Sequence, residues 1–175
     1  SGEKKYIFNN TLDDLKYSGD SSKLVEELVK IYRAHMPNIA LEEDAKWAIK
    51  HFSSLHPIAL LSDGYLHTQK NKVDSLKIST YFNKIYYTDY WGRDSWKPST
   101  IVFETLQKDF SNKFENYVYI SDNPSKDFIA PNKLGWKSIC IQRDFGIYNG
   151  VSIPSNGKPN IFIKSLFELE DLLPL

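Results

Sequence analysis

Two carboxylates, Asp122 and Asp127, stand five positions apart just after a short apolar run, residues 117–120. The β-branched and aromatic side chains of that run suit a buried strand. Ser121-Asp122-Asn123-Pro124 is turn chemistry that ends it. Acids on a loop after a strand can hold a hard cation such as Mg²⁺, which takes oxygen ligands, usually one or two carboxylates with water and phosphate. The spacing alone fits equally well a strand followed by a helix capped by Asp or Ser. Two other polar sites bear on the choice. Ser62-Asp63-Gly64 follows the apolar run Ile58-Ala59-Leu60-Leu61, and a hydroxyl with backbone N–H groups there can bind phosphate oxygens. Asp63 is read as a side chain turned to solvent, contributing through its backbone. Lys97 stands at the start of a helical pattern and can neutralise a phosphoryl group as a point charge. Ser62, Asp63, Gly64 and Lys97 as phosphate binders, with Asp122 and Asp127 as Mg²⁺ ligands, make a set suited to phosphoryl transfer, where catalysis is mostly positioning and charge stabilisation.

The elements that must position these groups alternate. Strands are expected at 58–61, 85–87, 117–120, 136–141 and 161–163. Helices are expected at 70–76, 98–110, before Gly135, and at 165–173 with Ser165 as cap. Pro98 is expected in the first turn of its helix. Alternating strand and helix means βαβ units and a parallel sheet, with ligands bound beyond the carboxyl ends of the strands. The fold class is therefore α/β, a Rossmann-like, mainly parallel sheet flanked by helices. Ahead of it, Leu24, Val25, Leu28, Ile31 and Tyr32 fall at helical spacing in a helix that Ser21 or Ser22 could cap and that ends before Pro37. A second helix spans 42–52, with Glu42, Glu43 and Asp44 in its first turn, where the helix dipole favours them. Residues 1–55 read as a helical cap-like segment and 56–175 as the α/β core.

The 175 residues suffice for one domain with a real core. Twenty-two basic residues balance twenty-two acidic ones, so bulk charge gives no support to nucleic-acid or anionic-membrane binding. No apolar run approaches the roughly 18 residues of a membrane span, and no signal peptide is recognisable. The one cysteine, Cys140, lies in an apolar run, reads as a buried small hydrophobe, and fits a cytoplasmic protein. Lone histidines are usually structural, so His35 and His67 are not assigned to the site. Tyr86, Tyr87, Tyr90, Trp91 and Trp96 are read as packing residues, though such rings could stack a base or sugar.

Three segments in order resemble the haloacid dehalogenase-like (HAD) hydrolase superfamily. LLSDG, residues 60–64, is similar to its second motif, a Ser or Thr that binds phosphate. WKPS, residues 96–99, resembles the third, the lysine. YISDNPSKDF, residues 119–128, resembles the fourth, the metal-binding acids. GYLHTQKNKVDSL, YYTDYWGRDSWKP and APNKLGWKSICI read like one branch of that family, and LVEELVKIYRAHMP like its helical cap. The resemblance covers residues 8–148. It implies Mg²⁺-dependent phosphatase chemistry on a phosphorylated small molecule.

One part of the family pattern is missing. Its first motif is a strand ending in Asp-x-Asp-x-Thr, whose first acid is the nucleophile and whose second is the general acid–base. The nearest segment, Tyr6 to Leu12, carries Asn9 and Asn10 instead, and Asn is a poor nucleophile and Mg²⁺ ligand. Asp13 and Asp14 read as solvated helix charges. The expectation is a truncated or degenerate site, inactive or very weak alone, or a non-catalytic binding or interaction domain of a larger protein. An ATP-grasp, carbamoyl-phosphate-synthase-like parent is one such possibility on resemblance. Ser1-Gly2 looks like the remnant of a cleaved tag, so more chain is expected upstream. In the family the missing strand is central, and its absence leaves neighbouring strand edges open unless residues 5–8 fill the place.

Overall fold

The computed structural model of the chain describes residues 6–110 and 114–173. Three helices lead: α1 (Ile7–Asp14), α2 (Ser21–Ala34) and α3 (Glu43–Leu55). Then come β1 (Ala59–Ser62), α4 (Leu66–Leu76), β2 (Lys84–Tyr87), α5 (Ile101–Asp109), β3 (Val118–Ser121), α6 (Ile129–Lys133), β4 (Lys137–Ile141), β5 (Ile161–Ile163) and α7 (Leu169–Leu172). The alternation expected after residue 56 is present, and every strand pairing is parallel.

The strands form two sheets rather than one. β1 pairs with β2, Ala59 opposite Lys84 through Ser62 opposite Tyr87. The second sheet has the order β3-β4-β5. Among the described residues β1 and β3 each have a strand partner on one side only. β1 is accordingly half-buried along its length, and Val118 at the start of β3 is exposed. Residues 6–8 do not complete the sheet. Tyr6 is the N-cap of α1, and Ile7 and Phe8 are helical. Lys5 lies outside the described residues. Asn9, Asn10 and Thr11 are part of this helix, in which Thr11 Oγ1 donates to the Ile7 carbonyl (2.9 Å) and Leu12 is buried. Asp13 and Asp14 are exposed.

Other boundaries shift for local reasons. The N-cap of α2 is Asp20, whose carboxylate accepts from Lys23 N–H (3.2 Å), not Ser21 or Ser22. No residue of α2 is buried, and Ile31 and Tyr32 of its apolar stripe are 66% and 60% exposed. The stripe has the right period, with Leu24, Val25 and Leu28 half-buried and its C-terminal end exposed. Pro98 lies ahead of α5, which begins at Ile101 after Thr100 as N-cap. Asp44 does not serve only the dipole of α3. It is buried, paired with Arg143 at 2.6 Å, and accepts from Ser165 Oγ (3.1 Å) and Leu166 N–H (2.8 Å). The Arg143 bond and the two hydrogen bonds outweigh the burial penalty and hold its carboxyl below the usual range. Ser165 and Glu168 form the capping box of the last helical turns.

Phe103 and Val102 of α5 are fully buried with Tyr86, Ala130 and Trp136. The Phe103 ring meets Tyr119 edge-on at 5.1 Å and Trp136 at 5.5 Å, so one side chain joins α5 to the β3-β4 sheet. A second cluster holds Ile139, Ile141, Ile163 and Leu169, with Phe52 of α3 against it. Cys140 is buried as expected. Phe103→Ala is expected to cost about 3–5 kcal/mol, read as a fall in urea midpoint. A loss below about 1 kcal/mol would contradict this packing.

Candidate active site

The two acids expected as metal ligands occupy different environments. Asp127 is buried. Its Oδ2 lies 3.0 Å from Lys97 Nζ and accepts a short hydrogen bond from Ser121 Oγ. Lys97 also donates to Tyr119 Oη at 3.1 Å. Only 8% of the Lys97 side chain and 4% of the Asp127 side chain reach solvent. Burial alone would discharge the ammonium, but the Tyr119 and Asp127 oxygens outweigh it and raise the pKa, so Lys97 stays cationic. The turn expected after β3 positions Asp127. Asn123 Oδ1 accepts from Ser125 N–H (3.1 Å), and the Asn123 carbonyl accepts from Asp127 N–H (3.1 Å).

Asp122 is exposed, and no cation lies within 4 Å of it among the described residues. Desolvation by the surrounding loop, together with the Asp127 charge, raises its pKa. Asp127 Oδ1 is buried with no hydrogen-bond partner. An orphaned carboxylate oxygen beside an acid that lacks a counter-charge is a donor set that a hard cation would satisfy. No group of three or more His, Cys, Asp or Glu side chains that could hold a metal ion occurs among the described residues. Mg²⁺ commonly keeps waters and phosphate oxygens for the rest of its shell.

Asp63 departs from expectation. Its side chain turns inward and is 7% exposed. Oδ1 accepts from Lys97 N–H and Thr88 Oγ1, both at 2.9 Å, and Oδ2 pairs with Lys126 Nζ at 2.5 Å. Burial pushes its pKa up, but these donors outweigh that and lower it. A carboxylate leaves water when enough donors meet it, and the end of β2, the lysine loop and the acid loop supply them. Ser62 Oγ donates to Gln69 Oε1 at 3.0 Å. Gly64 has φ +127°, and a Cβ there would sit 2.8 Å from Gln69 Nε2, so the turn after β1 requires glycine.

The structure thus joins Lys97 to Asp127 directly and Asp63 to both loops, while Ser62 is turned onto α4. Lys126, Thr88, Tyr119, Ser121 and Gln69 were not singled out in the sequence. The position of Lys126 beside Asp127 and that of Thr88 at the end of a strand were the available signals. His35 Nδ1 bonds the Tyr32 carbonyl at 2.5 Å. Tyr86 and Tyr87 are buried packing residues, whereas Tyr90 and Trp91 are exposed.

Lys97→Met leaves the Asp127 carboxylate buried and unpaired and is expected to cost about 3–5 kcal/mol. Lys97→Met with Asp127→Leu should recover most of it, and chemical denaturation distinguishes the two. For Asp122 the sign is opposite. A raised native carboxyl pKa gives stability that is complete below the unfolded value of about 3.9 and is lost as pH rises through the folded pKa. Asp122→Asn should therefore raise the urea midpoint near neutral pH in metal-free buffer and have no such effect well below the unfolded pKa. A midpoint lowered at neutral pH would contradict this.

Comparison with known proteins agrees with the geometry. The rat N-acylneuraminate-9-phosphatase is 23% identical over 167 residues, 95% of this chain. The chain spans 65% of that enzyme's length, less than two thirds. Among solved structures, the HAD-hydrolase YfnB from Bacillus subtilis, bound to magnesium, superposes with a TM-score of 0.75 at 17% identity, covering 97% of this chain and 71% of that one. The L-2-haloacid dehalogenase from Xanthobacter autotrophicus, with chloropropionic acid covalently bound, gives 0.67 at 16% identity, covering 94% and 71%. These likenesses show the fold. The sequence profile of the haloacid dehalogenase-like hydrolases matches residues 3–141, and the chain belongs to that family.

Proposed function

We propose that the site binds a phosphate monoester together with Mg²⁺, as a phosphatase site does, and that these 175 residues turn it over weakly or not at all. The observation that carries this reading is the buried Lys97–Asp127 pair, with one Asp127 oxygen left unpartnered beside the uncompensated Asp122. Phosphatase chemistry rather than dehalogenation is supported by the likeness to the rat phosphatase. Asp122 and Asp127 would hold the metal, which when bound polarises a phosphoryl oxygen and neutralises charge. Lys97 places a second positive charge at the phosphoryl group, held by Asp127 and Tyr119 so that little reorganisation is needed. The Ser62 hydroxyl, exchanging its bond to Gln69, and the backbone N–H groups at Asp63 and Gly64 supply donors to the remaining oxygens.

The nucleophile is the weak point. No Asp-x-Asp pair occurs in the sequence. Asp63 and Asp127 are committed to lysines, which among the described residues of the site leaves no free acid to attack phosphorus besides the proposed metal ligand Asp122. Losing a nucleophile typically costs several orders of magnitude in rate. With p-nitrophenyl phosphate and Mg²⁺, the purified chain is expected to show no turnover above a Ser62→Ala control; robust turnover sinks the inactivity. Phosphate with Mg²⁺ should raise the melting temperature, and Asp122→Asn should remove that ligand-dependent increment. No shift at millimolar concentrations counts against the binding site itself.

A further inference from the structure

Beside the phosphate corner lies a pocket of about 390 Å³, between the C-terminal end of α2 and the first turn of α4. This is within the size range of small-molecule sites. Its floor is Tyr65, which follows Gly64. The guanidinium of Arg33 sits 3.8 Å from the centre of the Tyr65 ring. That of Arg93 lies 5.0 Å from the same ring and donates to Tyr65 Oη through a short bond. Lys70 and His67 line the pocket as well. Lys70 Nζ is held by Tyr90 Oη at 2.8 Å.

The balance of charge here is one-sided. Asp89 is the one carboxylate lining the pocket, and both its oxygens are taken, Oδ2 by Leu66 N–H at 3.0 Å and Oδ1 by Trp96 Nε1 at 3.1 Å. Among the described residues Arg33, Lys70 and Arg93 have no carboxylate within 4 Å. The placement of Arg33 is built rather than incidental. Thr68 Oγ1 donates to the Arg33 carbonyl (3.2 Å), and Asn71 Nδ2 donates to the carbonyls of Ala34 and His35, each at 3.0 Å. These bonds pin the end of α2 to α4. Arg33, which lines the pocket, and Arg93, which does not, both reach Tyr65 without a carboxylate partner, and a planar anion beside that ring gives a guanidinium the bidentate acceptor it lacks. The lining residue Tyr65 also meets Trp96 edge-to-face at 5.5 Å, and Trp96 directly precedes Lys97.

We propose that this pocket binds a second anionic group, carboxylate or phosphate, of the ligand whose phosphate ester meets Ser62 and Lys97. The ligand class is then a phosphate ester carrying a further acidic group. This rests on the phosphate-site reading above, and the experiment separates the two. Calorimetry compares 6-phosphogluconate with glucitol 6-phosphate, which share a six-carbon chain and a phosphate and differ by the carboxylate. The chain is expected to bind 6-phosphogluconate about tenfold or more tightly. Arg33→Gln with Arg93→Gln should bring the two affinities together. Both arginines are exposed, so the fold survives the change, and an unchanged melting temperature checks it. Ser62→Ala should weaken both compounds while keeping their ratio. If Ser62→Ala changes neither affinity but the arginine variant still abolishes the preference, the pocket stands and the phosphate-corner reading falls. Equal affinities in the unmodified chain, a preference that survives the arginine substitutions, or no measurable binding of 6-phosphogluconate at millimolar concentration overturns the proposal.

Discussion

A carboxylate withdrawn from water has to be met by donors, and the way Asp63 and Asp127 meet this constraint organises the site. Asp63 directly follows β1 and is reached by Thr88 after β2, by Lys97 N–H and by Lys126 beside Asp127. Asp127 is reached by Lys97 Nζ and by Ser121 at the end of β3. The two sheets share no strand pairing, so these crossed lysines provide polar contact between them where the chemistry would occur. Breaking one partner leaves a buried charge unmatched, which costs more than the pair contributes when intact.

Much of this was legible in the sequence because it follows from local rules. Apolar runs of three to six residues located the strands after residue 56, and Gly135 and Ser165 marked their helix termini. Cys140 was recognisable from its apolar surroundings. The order of Ser62, Lys97, Asp122 and Asp127 pointed to the family. What stayed hidden depends on contacts between distant residues. Nothing local distinguishes a buried Asp63 or Asp44 from a solvated one. Each is buried because cations and N–H groups far along the chain reach it. The stripe on α2 shows the converse: the helix is where its spacing puts it. Its period is helical, but a period says which side is apolar, not whether anything covers it.

The family's fold and its chemistry are unequally represented in this chain. The side chains proposed for the phosphate and metal corners are present with partners around them, while the acid pair that would attack phosphorus is missing from the sequence. Among the described residues β1 and β3 each keep one unpaired side. Unpaired strand edges favour unwanted association, and the shortness of these two strands, four residues each, limits that liability.

The Asp44 carboxylate has a consequence for how the chain reaches its native state. Its partners Arg143, Ser165 and Leu166 lie 99, 121 and 122 positions further along. Closing a loop that long gains nothing until the ends meet, so this knot forms after the local βαβ units have assembled. During synthesis α3 must wait for 99 further residues to be made before its buried acid finds the Arg143 counter-charge. The order in which the protein is made is therefore opposed to the order in which this helix is secured.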